Sequence, residues 1–267
     1  MPSGHKECSL AIDGKGSRMK VLIITEEDVF YIYEFFKHFF PLARKADYTV
    51  SGITILPPFN KRSTAALAKQ MYGFYGLFNF LRMGSLYAFR KFAGFSVEQL
   101  AKKYGIPSLD TQNVNDPAYI EKVRENRIDC IVSIAAPQIF KGPLLDSVPK
   151  GCINSHSALL PENKGMMPVF WGMYSGNPYI GVTIHYMDKK LDSGDIVKQK
   201  KVEVGNESLH EMIIKTKRLS AHLIDESLRE IMAGRVQRSP MPQGGSYHSF
   251  PTPQEVKEFK RRGKRIL

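Results

Sequence analysis

The run Asp129-Cys130-Ile131-Val132-Ser133-Ile134-Ala135 constrains the fold more than any other part of the chain. It is apolar at almost every position, so a strand here has both faces covered, as the central strand of a parallel sheet does. Around it, strand patterns and helix patterns alternate. Val21 to Thr25 and Tyr48 to Leu56 read as strands, and a phenylalanine-rich helix lies between them, with Thr25 placed to cap its start and Pro41 to end it. Val97 to Tyr104 reads as a short helix, Ile106 to Leu109 as a short strand, and Asp116 to Asn126 as a helix opened by Pro117. This order predicts an α/β fold: a Rossmann-like, mostly parallel sheet flanked by helices, with a short C-terminal appendage. In such sheets ligands bind off the carboxyl ends of the strands.

The chain divides into three stretches. Residues 1–19 hold Gly4, Gly14 and Gly16 and no apolar core of the kind a signal peptide needs, so a disordered leader is expected. Residues 20–235 form one domain, and residues 236–267 a Pro/Gly linker with Tyr247 and Phe250 as aromatic anchors, followed by a basic helix with Thr252 and Glu255 in capping-box spacing, which reads equally as a solvated end and as a tail docked near the cleft; there is no internal repeat. The long helix from about Ser208 to Ala233 opens on Ser208 and Glu211 in capping-box spacing and closes on Gly234. Ser63 to Phe95 has helical spacing with apolar residues almost all round, yet Gly73, Gly76, Asn79 and Arg82 interrupt it, so no stable membrane insertion is expected. A helix or helix pair packed on the domain is the first reading there, a subunit or acceptor surface the second, and membrane-surface binding the third. Cys8, Cys130 and Cys152 make no CxxC and no metal-site spacing, which predicts a reducing, cytoplasmic setting and no metal. A net charge of +12 implies anionic company such as folate carboxylates, phosphates or nucleic acid.

Chemistry concentrates between Gly151 and Lys198. Asn154 and His156 sit two residues apart in a strand-like stretch and so face one side, Gly181 to Tyr186 alternates like a strand, and Leu191-Asp192-Ser193-Gly194-Asp195 makes an acidic turn. An amide donor, an imidazole and a carboxylate suit acyl transfer: the amide stabilises an oxyanion, the imidazole moves a proton, and the carboxylate fixes the imidazole. No covalent nucleophile accompanies them, which separates the set from Ser/His/Asp hydrolases. His185 reads equally as cleft lining and as a satisfied structural histidine, and the sole tryptophan, Trp171, reads first as core.

The ordered pieces Asn154-Ser155-His156, Leu159-Leu160-Pro161, Lys164-Gly165, Pro168 with Trp171, Gly181-Val182-Thr183-Ile184-His185 and Leu191-Asp192-Ser193-Gly194-Asp195 resemble the folate-dependent formyltransferases, over roughly Lys20 to Arg235. Lys164 stands where that family more often carries arginine, a point charge in place of a planar fork. The resemblance implies 10-formyltetrahydrofolate as formyl donor, with Asn154 donating to the developing oxyanion, His156 stabilising it and assisting proton transfer, and Asp192 orienting His156. It implies a folate pocket lined by Ala136, Pro137, Gln138, Ile139 and Phe140, largely through backbone groups, and bordered by Asp188 to Asp192. Lys164, Trp171 and His185 are the candidate acceptor contacts.

The implied partner is a small-molecule amine, phosphate-bearing, with a homodimer compatible with the chain. Glycinamide-ribonucleotide formyltransferases place a Gly-containing phosphate loop after the first strand, whereas Glu26-Glu27-Asp28 here would repel a phosphate. Methionyl-tRNA formyltransferases carry a further β-barrel, for which Arg235 to Leu267 is too short, and the hydrolases of the same co-substrate carry an N-terminal regulatory domain. A nucleotide-linked amino sugar is therefore the first expectation for the acceptor and tRNA the second. Hydrolysis of 10-formyltetrahydrofolate and a non-enzymatic folate- or nucleotide-binding module are the remaining alternatives.

Overall fold

The computed structural model describes residues 18–57 and 64–267; the expected leader and Ser63 lie almost wholly outside them. In chain order the elements are β1 (Lys20–Glu26), α1 (Tyr31–Ala43), β2 (Thr49–Leu56), α2 (Thr64–Tyr75), α3 (Leu77–Phe92), α4 (Val97–Lys103), α5 (Pro117–Glu125), β3 (Cys130–Ile134), α6 (Gly142–Leu145) and β4 (Cys152–His156). There follow β5 (Lys164–Gly165), α7 (Pro168–Tyr174), β6 (Tyr179–Tyr186), β7 (Ile196–Glu203), α8 (Leu209–Met232), β8 (Tyr247–His248) and α9 (Pro253–Arg261). Among the described residues the main sheet has six strands in the order β2-β1-β3-β4-β6-β7. The first four are mutually parallel, β6 runs antiparallel to β4, and β7 antiparallel to β6. This is the expected mostly parallel, Rossmann-like α/β sheet.

Strand alternation builds two cores, one per face. Val21, Ile23, Cys130, Val132 and Ile134 pack with Phe35, Phe36 and Phe39 of α1 and with Leu223, Ile224 and Leu228 of α8. Leu22, Ile24 and Ile131 turn the other way, onto Tyr119, Ile120 and Val123 of α5 and Phe140 and Leu144 beyond β3. A third core joins Phe170, Trp171 and Met173 of α7 to Leu209 and Met212 of α8 and to Phe74, Val256, Phe259 and Ile266. Both capping boxes form, at Ser208/Glu211 on α8 and at Thr252/Glu255 on α9.

Three local expectations are corrected, and one open reading is decided. Pro41 does not end α1, which runs to Ala43 with Arg44 N still donating to Phe40 O at 3.0 Å. A proline removes a single donor, and here it does so in the last turn. Thr25 does not cap α1; its hydroxyl donates to Ile134 O across the sheet at 2.8 Å, and Asp28 Oδ1 instead accepts from Phe30 N, Tyr31 N and Ile32 N. Ile106 to Leu109 is not a strand but a bridge to the edge of β2, with Ile53 N donating to Pro107 O at 3.0 Å and Leu109 N to Ile53 O at 2.9 Å. The tail is no solvated end: Val256, Phe259 and Ile266 are buried, and the Phe259 ring stacks on Phe170 at 4.7 Å. Of the two aromatic anchors expected before it, Phe250 packs on Phe74 while Tyr247 stays exposed.

Candidate active site

β1, β3 and β4 are parallel, so their carboxyl ends, at Glu26, Ile134 and His156, open on one edge of the sheet. Asn154 and His156 share a face of β4, and the antiparallel register sets Asn154 opposite His185 and His156 opposite Thr183. Directly paired residues project to the same side, so both histidines and the amide meet. Asp192 reaches them from the turn between β6 and β7. It adopts φ +47°, a sparsely populated region for a residue with a Cβ, and is buried beside buried His156 and His185.

Hydrogen bonds fix the protonation pattern. His185 Nδ1 lies 2.8 Å from Tyr186 O, and a carbonyl only accepts, so Nδ1 carries the proton. Burial lowers the His185 pKa to about 4, more than the Asp192 carboxylate and the Tyr186 carbonyl restore. The ring is therefore neutral, its Nε2 lone pair accepts from Asn154 Nδ2 at 3.1 Å, and the 3.6 Å approach of Nε2 to Asp192 Oδ1 is not an ion pair. One Asn154 N–H is thereby held, and the amide cannot flip. His156 donates Nε2–H to Asn163 O at 2.8 Å, which leaves Nδ1 facing Asp192 Oδ2 at 3.8 Å. That is too long for a hydrogen bond, yet it puts a carboxylate where an imidazolium would need one. Asp192 Oδ2 accepts from Gly165 N at 3.1 Å.

The structure thus brings Asn154, His156, His185 and Asp192 together. Lys164 stands next to Gly165 in β5, its backbone paired with Tyr247 and its Nζ donating to Gly244 O at 3.2 Å. Trp171 packs: its Nε1–H donates to Ser249 O at 3.0 Å and its ring stacks on His248 at 4.3 Å. The loop Ala136–Pro137–Gln138–Ile139–Phe140 leaves β3 at the same edge and is tied down by Gln138, which accepts from Val114 N and donates to Gln112 O, and by Asn115 Nδ2 on Ile139 O. Phe140 is buried and Ile139 is 64% exposed; in the segment after β6, Asp188 Oδ1 accepts from Lys189 N and Leu191 is 52% exposed.

Sequence reasoning passed over the residues that hold the chain after His156. Thr183 donates to Ala158 O at 2.7 Å and accepts from Leu160 N, and Gln199 Nε2 reaches both Thr183 Oγ1 and Leu160 O at 2.9 Å. Thr183 alternates with His185 and was findable on that ground; nothing in the sequence singles out Gln199. The acidic turn after β1 also differs from three free carboxylates. Glu27 accepts from Val97 N at 2.8 Å at the start of α4, and Asp28 serves α1. Only Glu26 remains, its pKa raised to about 7 by burial and by Asp28 against the pull of Lys217.

The carboxyl edge of this mostly parallel sheet thus gathers an amide, two imidazoles and a carboxylate. Residues 90–224, just over half the chain, match the formyl transferase family, and the chain belongs to it. It is 35% identical over 146 residues to the methionyl-tRNA formyltransferase of Geobacter metallireducens, covering 53% of this chain and 46% of that one. The chain spans about half the length of the curated relatives it matches. Its fold is that of a sugar N-formyltransferase from a Shewanella species, with a TM-score of 0.54 and 19% identity over 86% of this chain and 76% of that one. Glycinamide ribonucleotide transformylase 1 from Symbiobacterium toebii shares it too, with a TM-score of 0.59 and 14% identity over 88% of this chain and all of that one.

Proposed function

We propose that the protein transfers the formyl group of 10-formyltetrahydrofolate to an acceptor amine, a nucleotide-linked amino sugar in the first instance. The observation that carries this reading is the convergence of Asn154, His156, His185 and Asp192 at the sheet's carboxyl edge in a chain of this family. Exposed Ile139 and Leu191 offer apolar cover for an aromatic ring system on the two segments expected to border the folate, and exposed Lys141, Lys189 and Lys190 offer cations for its carboxylates.

Attack of the amine on the formyl carbon forms a C–N bond and puts negative charge on the formyl oxygen. The free N–H of Asn154, aimed by His185, meets that charge. The nitrogen must then lose a proton, which the bare Nδ1 of His156 can take, and the imidazolium so formed faces Asp192. Cleavage of the bond to N10 of the folate returns a proton to that nitrogen, so the reaction balances without metal or redox partner.

The test is incubation with 10-formyltetrahydrofolate and a panel of amines, reading tetrahydrofolate release. Asn154→Ala should lower kcat by about 10²–10³-fold; a folded variant with unchanged rate would sink the reading. A tRNA acceptor is the second reading, supported by the identity to methionyl-tRNA formyltransferases, and including methionyl-tRNA in the panel decides between them.

A further inference from the structure

The helix α3 carries an apolar stripe that the domain does not cover. At about 100° per residue, Leu77, Phe78, Leu81, Phe89 and Phe92 fall within roughly one third of the helix circumference, and buried Met83 lies on the opposite side. Phe78 is 80% exposed and Phe92 95%. By the same geometry Arg82 and Lys91 fall just outside the two margins of the stripe. Arg90 is turned inward, donating to Val29 O at 2.8 Å and lying over the Phe95 ring. No aspartate or glutamate occurs between Asp47 and Glu98, a stretch that contains Lys61, Arg62, Lys69, Arg82, Arg90 and Lys91.

We propose that α3 lays this stripe into the headgroup layer of an anionic phospholipid bilayer and so docks the protein peripherally on a membrane. Aromatic and aliphatic side chains flanked by cations, with no acidic residue among them, are the chemistry that partitions into an anionic interface. The flanking cations have aliphatic stems long enough to keep their charge at headgroup level while the stripe is buried. A second copy fits less well, because a two-fold contact through this stripe brings the cationic margins of two α3 helices together with no carboxylate on either helix to answer them. Among the described residues no helix is long and apolar enough to cross a membrane, in keeping with docking rather than spanning.

The experiment is co-sedimentation of the full chain with phosphatidylcholine vesicles and with vesicles containing one quarter phosphatidylglycerol, at low and at high salt. The protein should sediment with the anionic vesicles at low salt and partition at least about tenfold less onto the neutral ones. The triple variant Phe78→Ser, Phe89→Ser, Phe92→Ser, whose side chains lie outside the core, should keep the wild-type melting curve and lose most of the binding. Arg82→Gln with Lys91→Gln should weaken binding by about tenfold at low salt and less at high salt. Failure of the wild type to sediment with anionic vesicles overturns the proposal, as does a triple variant that binds equally well. A self-associating wild type that the triple variant converts to monomer, with no vesicle binding by either, assigns the stripe to a second copy and overturns it too.

Discussion

Buried His185 and half-buried Glu26, both at the carboxyl edge, pull the pH dependence of stability in opposite directions. His185 has its pKa lowered from 6.5 to about 4, so the unfolded chain binds more protons than the folded one between these values; its contribution is complete above pH 6.5 and is lost as pH falls through about 4. Glu26 has its pKa raised from 4.5 to about 7, so its contribution is complete below pH 4.5 and is lost as pH rises through about 7. Wild-type stability should therefore change little between pH 4.5 and 6.5. His185→Asn should leave a stability that falls as pH rises through this window, and Glu26→Gln one that rises. Urea midpoints at four pH values check this, and parallel profiles for the two variants would remove the assignment. Asn154 and His156 were legible from their two-residue spacing alone. His185 was not separable from a structural histidine until the register set it opposite Asn154, because which strand pairs with which is not written in local spacing.

The small parallel pair β5–β8 couples the tail to the site, since Gly165 N holds Asp192 and Gly165 pairs with His248. Gly165 has φ +88°, and a Cβ there would run into His248 O. Gly165→Ala should destabilise the protein by at least about 1 kcal/mol from backbone strain alone, and should lower kcat by displacing Asp192. A variant with a lower melting temperature and unaltered kcat would show that Asp192 does not depend on this strand. Phe259→Ala, which empties a fully buried site against Phe170, should cost about 3–5 kcal/mol, measured by chemical denaturation; a cost under about 1 kcal/mol would mean that the tail contributes little to the third core. Elements with local signals were readable: both capping boxes, the Pro117 start of α5, and the apolar runs of β1 and β3. What was missed depended on contacts distant in sequence. Glu27 serves the start of α4 some seventy residues on, and the tail's apolar residues, too few to form a core alone, complete one built by α2, α7 and α8.

At the scale of the molecule, a net charge of +12 acts on any anionic acceptor before contact, and the tail carries a good share of it. Deleting the tail is the wrong probe of that charge, because Val256, Phe259 and Ile266 would leave the core with it. Several of its cations are also engaged: Arg261 and Arg262 on Glu258, Arg262 additionally on Tyr174 O, and Arg265 on Asn206 O. Lys257, Lys260 and Lys264 are better targets: among the described residues their ammonium groups make one hydrogen bond, a long one of 3.4 Å from Lys260 Nζ to Tyr75 O. Changing all three to Gln lowers the formal charge from +12 to +9 while leaving the α9 core residues in place. For a polyanionic acceptor, kcat/KM should then fall severalfold at low salt, carried by KM for the acceptor, with KM for the folate nearly unchanged. Wild type and variant should converge as salt approaches 1 M, where the screening length shrinks to about 3 Å. Equal kcat/KM values at low salt would mean that the tail holds the third core together and takes no part in gathering the acceptor.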